Sequence, residues 1–381
     1  MKTFASRLPL PVTVLTMAWI LMGTILEKFL PFLGDICMMI ALILLFLTIF
    51  KFVMDIRGTY KFINTPVGIS LFSTFSMSLM LLSVWMKNFL DRSNIYIWIV
   101  GIILQTIIML IFTIKYLINF KLKNIYPSLF LVYSGMGIAT ITCNEFGMIV
   151  LGRWLYLFVI FISVALTPII LYRLLKYKMN QLSKPMISLF IVPVSIVLYS
   201  SIVLGGALAD NYMWIVFVGI QIILIYIASS MGINLLYGFY PTWACYALSV
   251  SIGAFSSYRY NVYLNSIKQG KNYLDIIVYG ECIFAFVVCV IVLLAYFINT
   301  LESPEVHELK IKKKLDEERK RLKNNSLINK LNRNNKVMDD MINRYEIKNE
   351  KKHIKKSSSY KNTDDKEEIF FEEEDLKDLL D

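Results

Sequence analysis

Histidine is nearly missing from this chain. Only His307 and His353 occur in 381 residues, both near the C-terminal end. No apolar stretch therefore contains a histidine proton relay, a Cys–His pair or a histidine metal ligand. The five cysteines, Cys37, Cys143, Cys245, Cys282 and Cys289, have no CxxC or metal-ligand spacing. They read as packing residues in a reducing setting, which leaves no metal or other cofactor to expect. Charge is scarce as well: 18% of residues are Asp, Glu, Lys or Arg, and they cluster outside the apolar runs. No glycine-rich phosphate loop with its lysine appears, and no paired acids fall within an apolar run. These gaps argue against an enzyme and against a nucleotide-driven pump.

What the chain has is apolar length. Hydrophobic residues make up 57% of it, more than a soluble monomer of this size can bury. Five apolar segments open at Pro11, Pro66, Pro127, Pro185 and Pro241, in steps of 55, 61, 58 and 56 residues. Such a step is one hairpin of lipid-length helices. Ten spans fit that period: 9–29, 32–54, 66–86, 95–117, 127–145, 149–175, 185–206, 210–236, 241–260 and 274–299. The expected fold is all-α, five helical hairpins in a membrane. Lys2 and Arg7 ahead of an apolar run resemble a secretory signal, but no small-residue cleavage site follows, so this segment reads as the first span. With both termini cytoplasmic, inner segments carry twelve Lys or Arg and outer loops seven, so that orientation in the plasma membrane is expected. The formal net charge of +11 then belongs to lipid contacts rather than to nucleic acid.

Serine and threonine divide unevenly among the spans, 22 in the odd-numbered ones against seven in the even-numbered. A single hydroxyl satisfies itself on its own helix, but a bias locked to alternate helices marks five inner helices around a conduit. Thr13, Thr16, Ser73, Thr74, Ser134, Thr140, Ser195, Ser200, Ser249 and Ser251 are the expected pore-lining residues. Pro193, inside the seventh span, is expected to kink it and widen the pore. Pro168 lies inside an even span, so kinks are not confined to the lining. Glu281 is an acid deep in a helix, a functional candidate on that ground alone, although a structural or intersubunit role fits equally.

Four stretches carry a family resemblance: NTPVGISLFSTFSMSLMLLS (64–83), YPSLFLVYSGMGIATITCNEFG (126–147), VPVSIVLYSSIVLGG (192–206) and YGFYPTWACYALSVSIGAF (237–255). In order and spacing the chain resembles the tellurite-resistance/dicarboxylate transporter family. That family includes plant slow-type anion channels, bacterial tellurite-resistance proteins and fungal malate and sulfite transporters. The resemblance covers about residues 8–300 and implies ten helices in quasi-fivefold arrangement around a central anion pore, assembled as a homotrimer. It also implies a phenylalanine plug in the ninth helix. Aligned on Trp243 and Tyr246, the plug position holds Leu248, so the gate falls to Leu248 or to its neighbours Tyr246 and Phe255.

From Pro304 the composition changes. Glu317 to Leu322 suits a charged helix, 356–365 a disordered linker, and 367–381 an acidic end able to recruit a binding protein or to fold back on the basic start. The expected organisation is a membrane domain over 1–302 and a cytoplasmic tail over 303–381. The expected function is passage of small anions: C4-dicarboxylates such as malate, chloride, nitrate or sulfite. Export of toxic oxyanions or lipophilic cations is the second transport reading, and a membrane sensor or anchor acting through the tail is the third.

Overall fold

The computed structural model describes residues 8–89, 94–118, 120–205, 210–235 and 239–301. The tail from 303 onward, with its expected helix, linker and acidic end, lies outside the described residues, as do Lys2 and Arg7. Among the described residues the structure is helical, without strands. Its α-helices are α1 (Val12–Leu26), α2 (Pro31–Met54), α3 (Ile56–Ile63), α4 (Pro66–Trp85), α5 (Asn94–Phe112), α6 (Leu129–Tyr133), α7 (Gly137–Thr142), α8 (Ile149–Lys176), α9 (Ile191–Val203), α10 (Asp210–Leu235), α11 (Ala244–Ser266) and α12 (Asn272–Leu301). Seven helical segments, among them α2, α4, α8 and α12, are long and apolar enough to cross a membrane. The chain is accordingly a multi-pass membrane protein by composition and length.

Burial separates the helices into two sets. Within the most apolar window of each, 78% of α4 and 61% of the segment leading through α9 is buried, against 22–39% for α2, α5, α8, α10 and α12. Helices α1, α6, α7 and α11 are buried almost throughout. These inner segments close a ring: α1 packs on α4, α4 on α6 and α7, α7 on α9, α9 on α11, and α11 back on α1. Outside the ring α2 covers α1, α5 covers α4, α8 covers α7, and α10 lies on α9 and α11. Helix α12 is joined to α1 by Trp19 against Phe286, ring centroids 6.1 Å apart, and to α11 by Ser251 against the Cys289 Sγ at 3.2 Å. The outer helices turn apolar stripes away from the ring. On α2 these are Phe32, Met39, Phe46 and Val53, on α8 Val150, Leu157, Val164 and Leu171, all exposed and seven residues apart. In water such surface would drive aggregation; against acyl chains it is matched.

Local chemistry explains the helix starts. Thr65 caps α4, its Oγ1 accepting from the Gly68 N–H at 2.9 Å, with Pro66 in the first turn where no N–H is needed. A Cβ on Gly68 would sit 1.8 Å from the Phe62 carbonyl oxygen, so only glycine permits this close passage from α3 into α4. Helix α3 itself is an amphipathic turn in the connection, capped by Asp55, with Phe62 inward and Arg57, Tyr60 and Lys61 outward.

Two of the expected continuous helices are irregular. The fifth span is interrupted by 3-10 turns at Ser134–Met136 and Cys143–Phe146, leaving α6 and α7 as short pieces. The seventh begins as ten residues of 3-10 helix, Gln181–Phe190, before α9 takes over. Pro193 therefore lies in the first turn of α9, where its missing N–H breaks no ladder bond, and the irregularity precedes it. Pro168, by contrast, is inside α8.

The break in the fifth span is held by one side chain. Tightening to 3-10 interrupts the i→i+4 ladder and leaves carbonyls of the preceding turn in need of donors. Gln105 of α5, fully buried, donates from Nε2 to the carbonyls of Leu131 (3.0 Å) and Val132 (2.8 Å). Its Oε1 accepts from the Ser76 hydroxyl of α4. Gly135 leaves the room, since a Cβ there would stand 2.7 Å from the Gln105 Nε2.

Candidate functional site: a cavity shared by the five inner segments

One cavity of about 580 Å³ receives residues from every inner segment. Thr24, Glu27 and Lys28 come from the end of α1, and Leu81, Val84, Trp85 and Lys87 from the end of α4. Ile141, Thr142 and Glu145 come from α7 and the turn after it, Tyr199 from α9, and Phe255 and Arg259 from α11. All five contribute through their C-terminal halves, so the inner segments run in the same sense around the cavity. Thr142 is fixed by the Trp98 Nε1, which donates to its Oγ1 at 2.8 Å. Lys87 and Glu145 pair at 3.1 Å, both about half exposed. This link joins the ends of α4 and α7 and, so exposed, contributes at most about 1 kcal/mol.

Three side chains inside the cavity form a cluster. The Tyr199 and Phe255 rings meet edge to face, centroids 5.0 Å apart. The Arg259 guanidinium lies 5.4 Å from the centroid of each, within the range of cation–π attraction. Its Nε is buried and has no hydrogen-bond partner. The ten expected lining residues are all hydroxyls; in the structure a charged residue, Arg259, is in the cavity wall. Helix α11 runs on to Ser266, and Arg259 sits two turns before its end, facing the cavity.

Of the three gate candidates, Phe255 alone lines this cavity. Leu248 is fully buried on the same helix, seven residues and so about 10 Å closer to its start. Tyr246 is turned to α10, its hydroxyl bonded to Ser230 (3.0 Å) and to the Asn234 Nδ2 (2.6 Å).

The ten expected lining hydroxyls are all buried, and none is in the wall of this cavity. Thr16, Ser73 and Thr74 bond back to carbonyls of their own helix at 2.7–3.0 Å. Thr13 reaches the Leu71 carbonyl of α4 at 3.3 Å, and Ser249 donates to Ser188 at 2.8 Å. Ser134 faces Ser163 of α8 at 3.1 Å and Ser251 faces Cys289 of α12, both away from the ring centre. Thr140, Ser195 and Ser200 have no partner; neither do Ser78 and Ser128. All five of these unpartnered hydroxyls belong to inner segments.

Glu281 does not face the cavity. Its two carboxyl oxygens are buried without a hydrogen bond of ordinary geometry, beside Gln221 of α10 and Ser257 of α11, themselves joined at 3.2 Å. The five thiols are buried and unpaired. Among the described residues no three His, Cys, Asp or Glu side chains group as metal ligands. Sequence reasoning passed over Gln105, although a lone glutamine in an otherwise apolar span is itself a signal that a buried polar partner exists. Neither a protein-family model nor a curated protein sequence matches this chain.

Proposed function

We propose that the protein is a passive conductor of small anions, with ten membrane spans forming one pore per chain. The observation that carries this reading is the convergence of five inner segments on a single cavity whose charged member deepest in a helix is Arg259. The seven segments long enough to cross the bilayer are completed by α1, α6–α7 and α11, which are too short, broken or polar to be recognised alone and are sheltered by the others. Buried, unpartnered hydroxyls on inner segments supply free donors that would extend a polar path beyond the cavity. Phe255, on the cavity side, and Leu248, two turns away, form an apolar constriction that excludes water in the closed state. Plasma-membrane location, cytoplasmic termini and trimeric assembly complete the reading, supported by loop charge and by the resemblance.

Purified protein in planar bilayers, under chloride, nitrate and malate gradients, should give reversal potentials on the anion side of zero. Absence of any current with all three anions defeats the reading. Leu248→Ala, recorded beside wild type, should raise conductance severalfold while costing about 2–5 kcal/mol of stability, because a fully buried leucine is truncated. Conductance at the wild-type level would remove Leu248 from the constriction.

A further inference from the structure

The inner segments direct their C-terminal ends to the cavity, and such ends carry partial negative charge, about half an elementary charge each. Left uncompensated, that field repels the anions which the proposed function moves, and this inference rests on that reading. The charged side chains in the wall are Lys28, Lys87 and Arg259 against Glu27 and Glu145. Lys87 is engaged with Glu145, and Lys28 sits at the end of α1 beside Glu27. Arg259 differs from both. It lies two turns inside α11, makes no ion pair among the described residues, and has its guanidinium set against two aromatic rings. A guanidinium held by ring faces keeps its edge N–H donors for other acceptors, and the Nε donor is buried and unused. Aromatic contact fixes the group at little cost to its charge, whereas a carboxylate partner would cancel it.

We infer that Arg259 is the anion-binding and charge-selecting residue of this cavity, and that its ligand is a small monovalent anion such as a halide or nitrate. The bound anion accepts from the guanidinium edge while Tyr199 and Phe255 hold the face. Because Phe255 also bounds the constriction, the binding site adjoins the barrier that the anion must pass.

Trp85 lines the same cavity and reports occupancy without any flux measurement. Iodide quenching of full-length protein in detergent, taken as the difference between wild type and Trp85→Phe at constant ionic strength, should saturate and should be relieved by chloride. In Arg259→Gln it should become linear in iodide and insensitive to chloride. Arg259→Lys should retain saturation at several-fold higher iodide. A linear, chloride-insensitive response in wild type overturns the site whatever the variants do, so a folding defect in Arg259→Gln cannot shield the inference. In bilayers Arg259→Gln should move the reversal potential toward the cation side, and an unchanged reversal potential overturns the selecting role. Saturable quenching in a protein that passes no current would instead reject the proposed function and leave the site standing.

Discussion

Phe255→Ala should raise anion flux through reconstituted protein about tenfold or more, the equivalent of removing a barrier of about 1.4 kcal/mol. The ring bounds the cavity and is held from two sides, by Tyr199 edge to face and by the Arg259 guanidinium. An apolar constriction obstructs ions chiefly by excluding water, so replacing a ring with a methyl group widens and wets it together. Phe255→Leu, matching the residue two turns away at Leu248, should fall between wild type and alanine. The stability cost should fall in the usual range of about 3–5 kcal/mol for a truncated phenylalanine, since the residue is only 3% exposed. Stopped-flow anion uptake into liposomes, normalised to incorporated protein, measures the effect. Flux indistinguishable from wild type in both variants would mean that the constriction lies elsewhere in the ring.

Gln105→Leu, a change outside the cavity, should destabilise the protein several times more than Ser76→Ala. The glutamine makes three hydrogen bonds in a fully buried position: two given to the Leu131 and Val132 carbonyls and one accepted from Ser76. Leucine has similar bulk and none of these bonds, so two carbonyls lose this donor at once, while the Ser76 hydroxyl keeps the Ser73 carbonyl at 2.7 Å. At about 1–3 kcal/mol for each buried group left unsatisfied, the loss should reach about 2–5 kcal/mol. Ser76→Ala removes only the donor to Oε1 and should cost about 1 kcal/mol. Thermal unfolding in detergent separates the two, and a Gln105→Leu protein as stable as Ser76→Ala would show that the carbonyls find other donors. The interrupted segment also carries Ile141 and Thr142 to the cavity wall, so altered conductance should accompany the lost stability.

Much of the architecture can be read from the chain. Pro66 stands at the start of α4 and Pro11 just before α1, and Thr65-Pro66 caps α4 as its residue types predict. The skew of Ser and Thr toward alternate spans picks out the segments that the structure buries in the ring, because hydroxyls cost least where lipid does not reach. Which way each hydroxyl points is a different matter. Ser134 and Ser251 occupy inner segments yet face Ser163 and Cys289 on outer ones, a choice made by rotation about the helix axis and invisible to a count. Arg259 is concealed by a boundary: with the ninth span ended at 260 it falls at the very end of the span, where a basic residue reads as an interface anchor, while α11 continues for nearly two further turns. The fifth span hides its break because Ser134-Gly135-Met136 is tolerable in a helix until Gln105, thirty residues upstream, supplies the donors that make the 3-10 turn affordable. Long-range partners of this kind leave no local pattern.

The common direction of the inner segments has an electrical consequence. The inner segments reach the cavity through their C-terminal halves, so their peptide dipoles add rather than cancel and the ring is polarised along its axis. An ion crossing this ring climbs in one direction what it descends in the other. If the protein conducts as proposed, its current–voltage curve should bend even with identical solutions on both faces.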